Sequence, residues 1–527
     1  MSQALAFSSS LDKQLSRWLG AIPVLVPIFQ RLNVVSIINR YCPCEADVDE
    51  GTVALILALN RLMAPRPLYK VATWMAQTVL EDTLGVSAEK LHDRRIGDLL
   101  EAIHPHLDNI WKEIVHQAMA CFGLSLSFIH YDITSIYFEG AYEEAEKLEY
   151  GYSRDDKSDC KQVNLQLNIT GEDGIPLAFG VINGSTSDRT TPIENMHALR
   201  EVLDGMPNSE ELILVSDQAM LDRDVIVQYH QQEIGYLGPL PALKEYEEVL
   251  RSKSLAELQQ HPFSYRPKRQ KAGEPPIYYG VLVPVTISGD KVEGTVEAQG
   301  LLVYSTRKAK LDADKRTTLL NRYLARLEAI QRQLNTRKYK KVAYTWEQLH
   351  KAQSKYAAVH DLVEVQLEGE DGQLMLRFDV RAERMNLAQE QDGRYLLVTN
   401  RPLSAEEMMK HFKAQDQVEK RNQTLKGPIR IRPIFLHKQE RIESLIFICM
   451  LALLAFSILE MLAKRAHIAM TAEGILNHFQ TLSVVYTRFK DGSWWKQLVP
   501  VSAFQSKFIQ ALDLPPPEIY LKPINLQ

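Results

Sequence analysis

The sequence predicts an α/β catalytic domain carrying a β-rich insertion, with a helical amino-terminal domain before it and a helical part after it. Three observations predict this. Residues 1 to about 120 carry apolar residues at helical spacing. At about Leu124 the texture changes to β-branched and aromatic runs, LSLSFIHYDITSIYFEG and KQVNLQLNIT. Helical texture returns after Asp392, around the apolar run Leu445 to Leu459.

In chain order, DEGTVALILALNRLMA (Asp49 to Ala64) has a helical apolar stripe, with acidic residues at the end where the helix dipole favours them. Pro65 and Pro67 stop it, and LYKVATWMAQTVLEDTLG predicts a further amphipathic helix. Residues 1–120 therefore form a helical domain, suited either to docking on DNA or to a structural task. Residues 121–239 begin the catalytic domain. Three mostly antiparallel strands, with a GEDG turn between the second and third, precede a helix at about Ile193 to Leu203 and a short strand, ELILVSD. That order is the order of an RNase H fold. Residues 240–392 read as a β-rich insertion with a basic helix: Arg307 to Lys341 holds twelve Lys/Arg against three Asp/Glu. Residues 393–471 return to the catalytic domain through RYLLVTN, and 472–527 form a carboxyl-terminal tail without an informative motif.

The chain has 527 residues, 45% hydrophobic and 24% charged, which are globular proportions. One core rarely serves more than about 250–300 residues, so several domains are expected. The net charge of −5 argues against a uniformly basic nucleic-acid binder, although a whole-chain sum hides local fields. Cys42 and Cys44 form a lone C-x-C without a second pair, which predicts ordinary thiols and no zinc site. The start of the chain lacks the pattern of a signal peptide. The apolar run Leu445 to Leu459 falls short of the roughly 20 residues that span a bilayer, so a buried core helix and no membrane partner are expected.

Two aspartates end apolar strands, Asp132 in SFIHYD and Asp217 in LILVSD, 85 residues apart (217 − 132). Carboxylates at strand ends face the crevice where α/β sites gather, though an aspartate there also commonly begins a turn. Glu419 and Lys426 lie seven residues apart (426 − 419), nearly two helical turns, and so share one face. Carboxylate oxygens in threes suit Mg²⁺, and two ions about 3.5–4 Å apart stabilise both the attacking and the leaving oxygen of a phosphoryl transfer. Lys420 to Arg441 holds seven Lys/Arg against one Glu, a density suited to phosphates. It contains Lys420, Arg421, Lys426, Arg430 and Arg432.

These blocks together resemble the transposases of the insertion sequence four superfamily, specifically its sixteen-thirty-four group. HYDITSIYFEG and LILVSDQAML resemble the two aspartate blocks, and QVEKRNQTLK with LHKQERIESLIFICMLALL the glutamate block. GYSRDDKSDCKQVNLQLNITGEDGIPLAFGVINGSTSD resembles the block between the aspartates. The resemblance implies an RNase H-like domain with a β-rich insertion between Asp217 and Glu419, and Asp132, Asp217 and Glu419 as catalytic metal ligands. It implies Mg²⁺, with Mn²⁺ able to substitute and two ions by number; cleavage at terminal inverted repeats; strand transfer into target DNA; and a homodimer on double-stranded DNA in a bacterial cytoplasm, at the nucleoid. The superfamily's Tyr and Arg positions are here Phe412 and Gln415, which would join the DNA-end contacts. Phe412 offers a ring on which an unpaired base can stack. The competing expectations are an RNase H-like nuclease that cuts without joining, and a decayed DNA-binding protein without chemistry.

Overall fold

The computed structural model describes residues 11–140, 142–152, 157, 159–241, 244–263 and 275–526. Ser153, Arg154 and Asp155 of the block between the aspartates lie outside the described residues. Two compact units divide the chain: Met1–Met220, Gln232–Gly235 and Lys413–Gln527 form the first, Leu221–Gln231 and Tyr236–Phe412 the second.

The first unit begins with β1 (Leu11–Trp18), followed by helices α1 (Ile22–Arg31), α2 (Val34–Tyr41), α3 (Glu50–Met63), α4 (Asp93–Ile103) and α5 (Leu107–Phe122). Helix α3 starts where its acidic end predicts: the Asp49 carboxylate accepts from the Thr52 amide at 2.7 Å and caps the helix. The continuous helix expected from Leu68 is instead three short turns, Leu68–Lys70, Val71–Met75 and Leu80–Leu84. Thr78 interrupts them. Its hydroxyl donates to the Met75 carbonyl at 2.7 Å and accepts from the Leu80 amide at 3.1 Å, while its backbone bridges Trp18.

The α/β segment follows as β2 (Phe128–Phe138), β3 (Lys161–Thr170), β4 (Pro176–Asn183), α6 (Pro192–Leu203) and β5 (Ile213–Val215). The strand order is β4-β3-β2-β5, antiparallel except for the parallel β2–β5 pair. This is the expected succession of three antiparallel strands, a helix and a further strand. Helices cover both faces. Paired residues share a face, and Tyr131 opposes Asn168. The Tyr131 hydroxyl meets the Thr191 hydroxyl at 3.0 Å, and the Asn168 amide donates to Asn195 of α6 at 2.7 Å. On the other face Phe179 packs edge-on against Trp111 of α5.

The second unit contains α7 (Arg223–Gln231), β6 (Gly235–Pro239), β7 (Tyr278–Ser288), β8 (Thr295–Ser305), α8 (Thr306–Gln333), α9 (Val342–Lys355), β9 (Val363–Glu368), β10 (Met375–Val380), α10 (Ala382–Gln391), β11 (Arg394–Thr399) and α11 (Ala405–Lys413), except that Gly235 of β6 and Lys413 of α11 belong to the first unit. Strand β11 pairs with β6 on one side and β8 on the other. The expectation of a β-rich interval is corrected. Between residues 240 and 392 the main helices have 28, 14 and 10 residues, against strands of 11, 11, 6 and 6. The basic stretch folds as α8, and Leu320, Tyr323, Leu327 and Ile330 form its buried stripe against Leu349 and Leu376. Its Lys and Arg residues occupy the remaining faces, so their charge masked a helix with a core-forming side.

The first unit resumes with α12 (Asp416–Lys426), α13 (Gln439–Arg465), α14 (Ala472–Phe479), β12 (Ser483–Phe489), β13 (Trp494–Leu498) and α15 (Ala503–Ala511). Helix α13 extends beyond the apolar run to 27 residues, long and apolar enough to cross a membrane, but 89% of its apolar window is buried inside the protein. Glu460 lies inside this helix, and its carboxylate pairs with Arg421 of α12 at 2.7 Å. Helices α1, α3 and α4 pack on α13, making it the axis of the unit's core. The tail is structured too, with β12 pairing β1 on one edge and β13 on the other.

Candidate active site

Strand β2 supplies the first carboxylate. Asp132 lies within β2, not at its end as expected, because the strand runs on to Phe138. The parallel ladder pairs Phe128 with Ile213 and His130 with Val215, an offset of 85 (213 − 128). The same offset carries Asp132 to Asp217. Asp217 follows the last residue of β5 by two positions and is exposed. Its Oδ1 accepts from the Ala219 amide at 2.9 Å and the Met220 amide at 3.3 Å, so the aspartate also shapes the turn that ends the strand.

Helix α12 supplies the third carboxylate and is fastened to β2 by two amide side chains. Gln415, at the helix start, donates through Nε2 to the Tyr131 carbonyl at 2.8 Å. Its Oε1 lies 2.7 Å from His130 Nδ1, which must therefore donate to it. Asn422 donates through Nδ2 to Asp132 Oδ2 at 2.8 Å. Residues 415, 419 and 422 are spaced four and three apart, so all three share one helix face. The exposed Glu419 thus sits on the face held against β2, between the two fasteners. His130 is buried, and desolvation pushes its imidazole down to about 4, which keeps it neutral beside the site. Asn422 is 6% exposed and its Oδ1 has no partner. Since Oδ1 and Nδ2 belong to one amide, this free acceptor is tied to the Asp132 carboxylate.

A family model described as a transposase DDE domain matches residues 125–455, more than half of the chain. The chain belongs to this transposase family. A second model, described as a domain of unknown function (DUF4277), matches residues 16–116 of the transposase. Among solved structures, the chain is similar to that of a piggyBac transposase synaptic complex with hairpin DNA, determined by cryo-EM. The identity is 9%, with 89% of this chain and 82% of that chain covered and a TM-score of 0.40. No curated protein matches the transposase.

The remaining expected residues divide by what they touch. Lys420 is exposed and pairs with Asp416 at 2.6 Å, one helical turn back. Lys426 is half-buried at the end of α12. Arg430 is exposed, with a left-handed backbone at φ 52°. The Arg432 guanidinium lies 4.0 Å from the centre of the Tyr137 ring. The Phe412 ring is 6.2 Å from that of Tyr395. Two expectations of DNA contact are corrected. Arg421 is 7% exposed, and its guanidinium is used internally, by Glu460 at 2.7 Å and by the carbonyls of Gly174 and Asp173 at 2.7 and 3.0 Å. Both ends of the Gln415 amide are engaged by β2, so it fastens the helix where an arginine would present charge.

The donor set around Asp132 is all oxygen, which suits a hard divalent cation. Among the described residues, no three His, Cys, Asp or Glu side chains already converge as a metal cage, the two cysteines of the C-x-C included. The carboxylates are therefore held by neighbouring elements without being closed on one point. Sequence reasoning missed Asn422. Its signal is faint but present: it follows Glu419 by three residues and so falls on the same face.

Proposed function

We propose that this transposase is an RNase H-like enzyme of the insertion sequence four superfamily, sixteen-thirty-four group. It cuts the terminal inverted repeats of its element and joins the ends to target DNA, acting as a homodimer in a bacterial cytoplasm. The observation that supports the reading is the parallel β2–β5 pairing, whose offset of 85 equals the separation of Asp132 and Asp217 (217 − 132), together with α12 fastened to Asp132 on the face bearing Glu419. Asp132, Asp217 and Glu419 would hold Mg²⁺ or Mn²⁺, two ions on the usual phosphoryl-transfer plan. Bound there, such ions lower the pKa of a water or a DNA 3′-hydroxyl and neutralise the leaving oxygen. The protein's own contribution is to fix the carboxylates on a strand and a docked helix, so that little reorganisation remains when the phosphodiester arrives. Lys426, two turns from Glu419, would bind a DNA phosphate beside the cut, with Lys420, Arg430 and Arg432 extending the contact and Phe412 available to an unpaired base.

The test is cleavage and joining of an end-labelled duplex carrying the element's terminus, with Mg²⁺, comparing wild type with Asp132→Asn and Glu419→Gln. Metal-dependent joining lost in both variants, with duplex binding retained, is the expected result. Cleavage without joining would support a nuclease instead. Binding without any cut, across metals and targets, would support a decayed DNA-binding protein.

A further inference from the structure

Away from the carboxylates, the first unit contains two adjoining cavities of about 520 and 300 Å³. Both are bordered by the end of α3 and by α14, and they share Met63, Ala64 and Arg66. The larger is lined by Arg61, Arg66 and Arg430, opposed by one carboxylate, Glu473. Arg61 is 6% exposed, and its Nη1 donates to the Arg430 carbonyl at 3.2 Å. Among the described residues, none of these three arginines forms an ion pair. A guanidinium is costly to bury without an anion, so a nearly buried arginine facing a cavity is suited to receive one there. The smaller cavity is lined by Trp18 and Trp74. The Trp74 indole N–H is buried and has no partner, and Trp18 is 45% exposed.

We infer that the joined cavities bind one nucleotide unit, with its phosphate on Arg61, Arg66 and Arg430 and its unpaired base against the exposed Trp18. The chemistry fits at both ends. Guanidinium forks match phosphate oxygens, and an exposed indole face stacks on any base. The space suits a small ligand, since such pockets run to about 300–1,000 Å³. The nucleotide can come from a DNA strand with a displaced base or from free nucleotide in solution. This goes beyond the cleavage reading: none of the three carboxylates takes part, only Arg430 is shared with the proposed DNA contact, and binding here stands or falls without any cut.

The test titrates the full chain with thymidine 5′-monophosphate, thymidine, inorganic phosphate, a short single-stranded oligonucleotide and its duplex, read by calorimetry and tryptophan fluorescence. The monophosphate and the single strand should bind, with thymidine and phosphate each weaker by about tenfold or more. Arg66→Glu, at an exposed position, and Arg61→Met should each weaken the monophosphate by about tenfold, and Trp18→Phe should reduce the fluorescence change. Should Arg61→Met fail to fold, Arg66→Glu with an unchanged melting temperature carries the test. Binding of the monophosphate alone supports the site with free nucleotide as its source. Absence of binding by monophosphate and single strand alike, or binding indifferent to both arginine variants, overturns the proposal. Duplex or inorganic phosphate bound as tightly as the single strand overturns its base-holding half.

Discussion

Asn422 links helix to strand at the point where the chemistry is proposed. It spends its amide nitrogen on Asp132 and leaves its oxygen buried and unmatched. An oxygen in that condition costs stability, and the fold tolerates it where the amide nitrogen holds Asp132. Asn422→Ala should lower metal-dependent cleavage by about 10–100-fold, the usual loss when a metal ligand loses its support. A raised Mn²⁺ requirement with an unchanged melting temperature would show positioning; a collapsed melting temperature would show a packing role. Lys413 gives a pH test at the same scale. Burial pushes its ammonium down to about 8, from an ordinary value of 10.5. The charged form is therefore the one the fold opposes. The penalty is full below pH 8, fades between 8 and 10.5, and is absent above. Lys413→Met should raise stability at pH 7 by about 1–3 kcal/mol, discounting for partial exposure, with the gain shrinking toward pH 10. A gain independent of pH would assign it to packing alone.

Elements in this protein are held at particular seams. Helices α2 and α3 approach so closely that a Cβ on Gly51 would stand 2.3 Å from the Val35 carbonyl oxygen. The Gly51 amide also donates to the Asn39 side chain at 2.7 Å. Gly51→Ala should cost about 1–3 kcal/mol by forcing the helices apart, read as a lowered denaturant midpoint. The seam between α12 and β2 rests on Gln415 in the same way. Gln415→Ala leaves His130 and the Tyr131 carbonyl without partners, so a loss of about 1–3 kcal/mol is expected. If Gln415 instead served DNA alone, the apo protein would melt unchanged.

Across the whole molecule, the helical start and the end of the chain are parts of one folded unit. Helices α1, α3 and α4 cover α13, and β1 is the strand partner of β12. Deleting residues 1–120 would uncover a 27-residue helix with a mean hydropathy of 2.6 over its apolar window. The truncated protein should aggregate or melt far below the full chain, since so large an apolar face is not tolerated in water. A soluble fragment with full-length stability would show that the helical start is a detachable DNA-binding module.

The sequence by itself determined what short-range chemistry decides. Apolar periodicity and an acidic start marked α3, and β-branched alternation with a glycine turn marked β2, β3 and β4. The carboxylates were visible because each stands beside an apolar run or on a periodic face. The tertiary structure decided what depends on distant partners. Strand β1 is a strand because β12 pairs with it, and nothing within residues 11–18 announces that edge. Arg421 and Lys420 are neighbours of one charge in one basic stretch, yet one turns into the core and the other to water. Helical phase against a particular sheet separates them, and that phase is fixed only when Gln415 and Asn422 close on β2. The arginine-lined cavity was equally out of reach, because Arg61 and Arg430 meet through folding and not through any spacing along the chain.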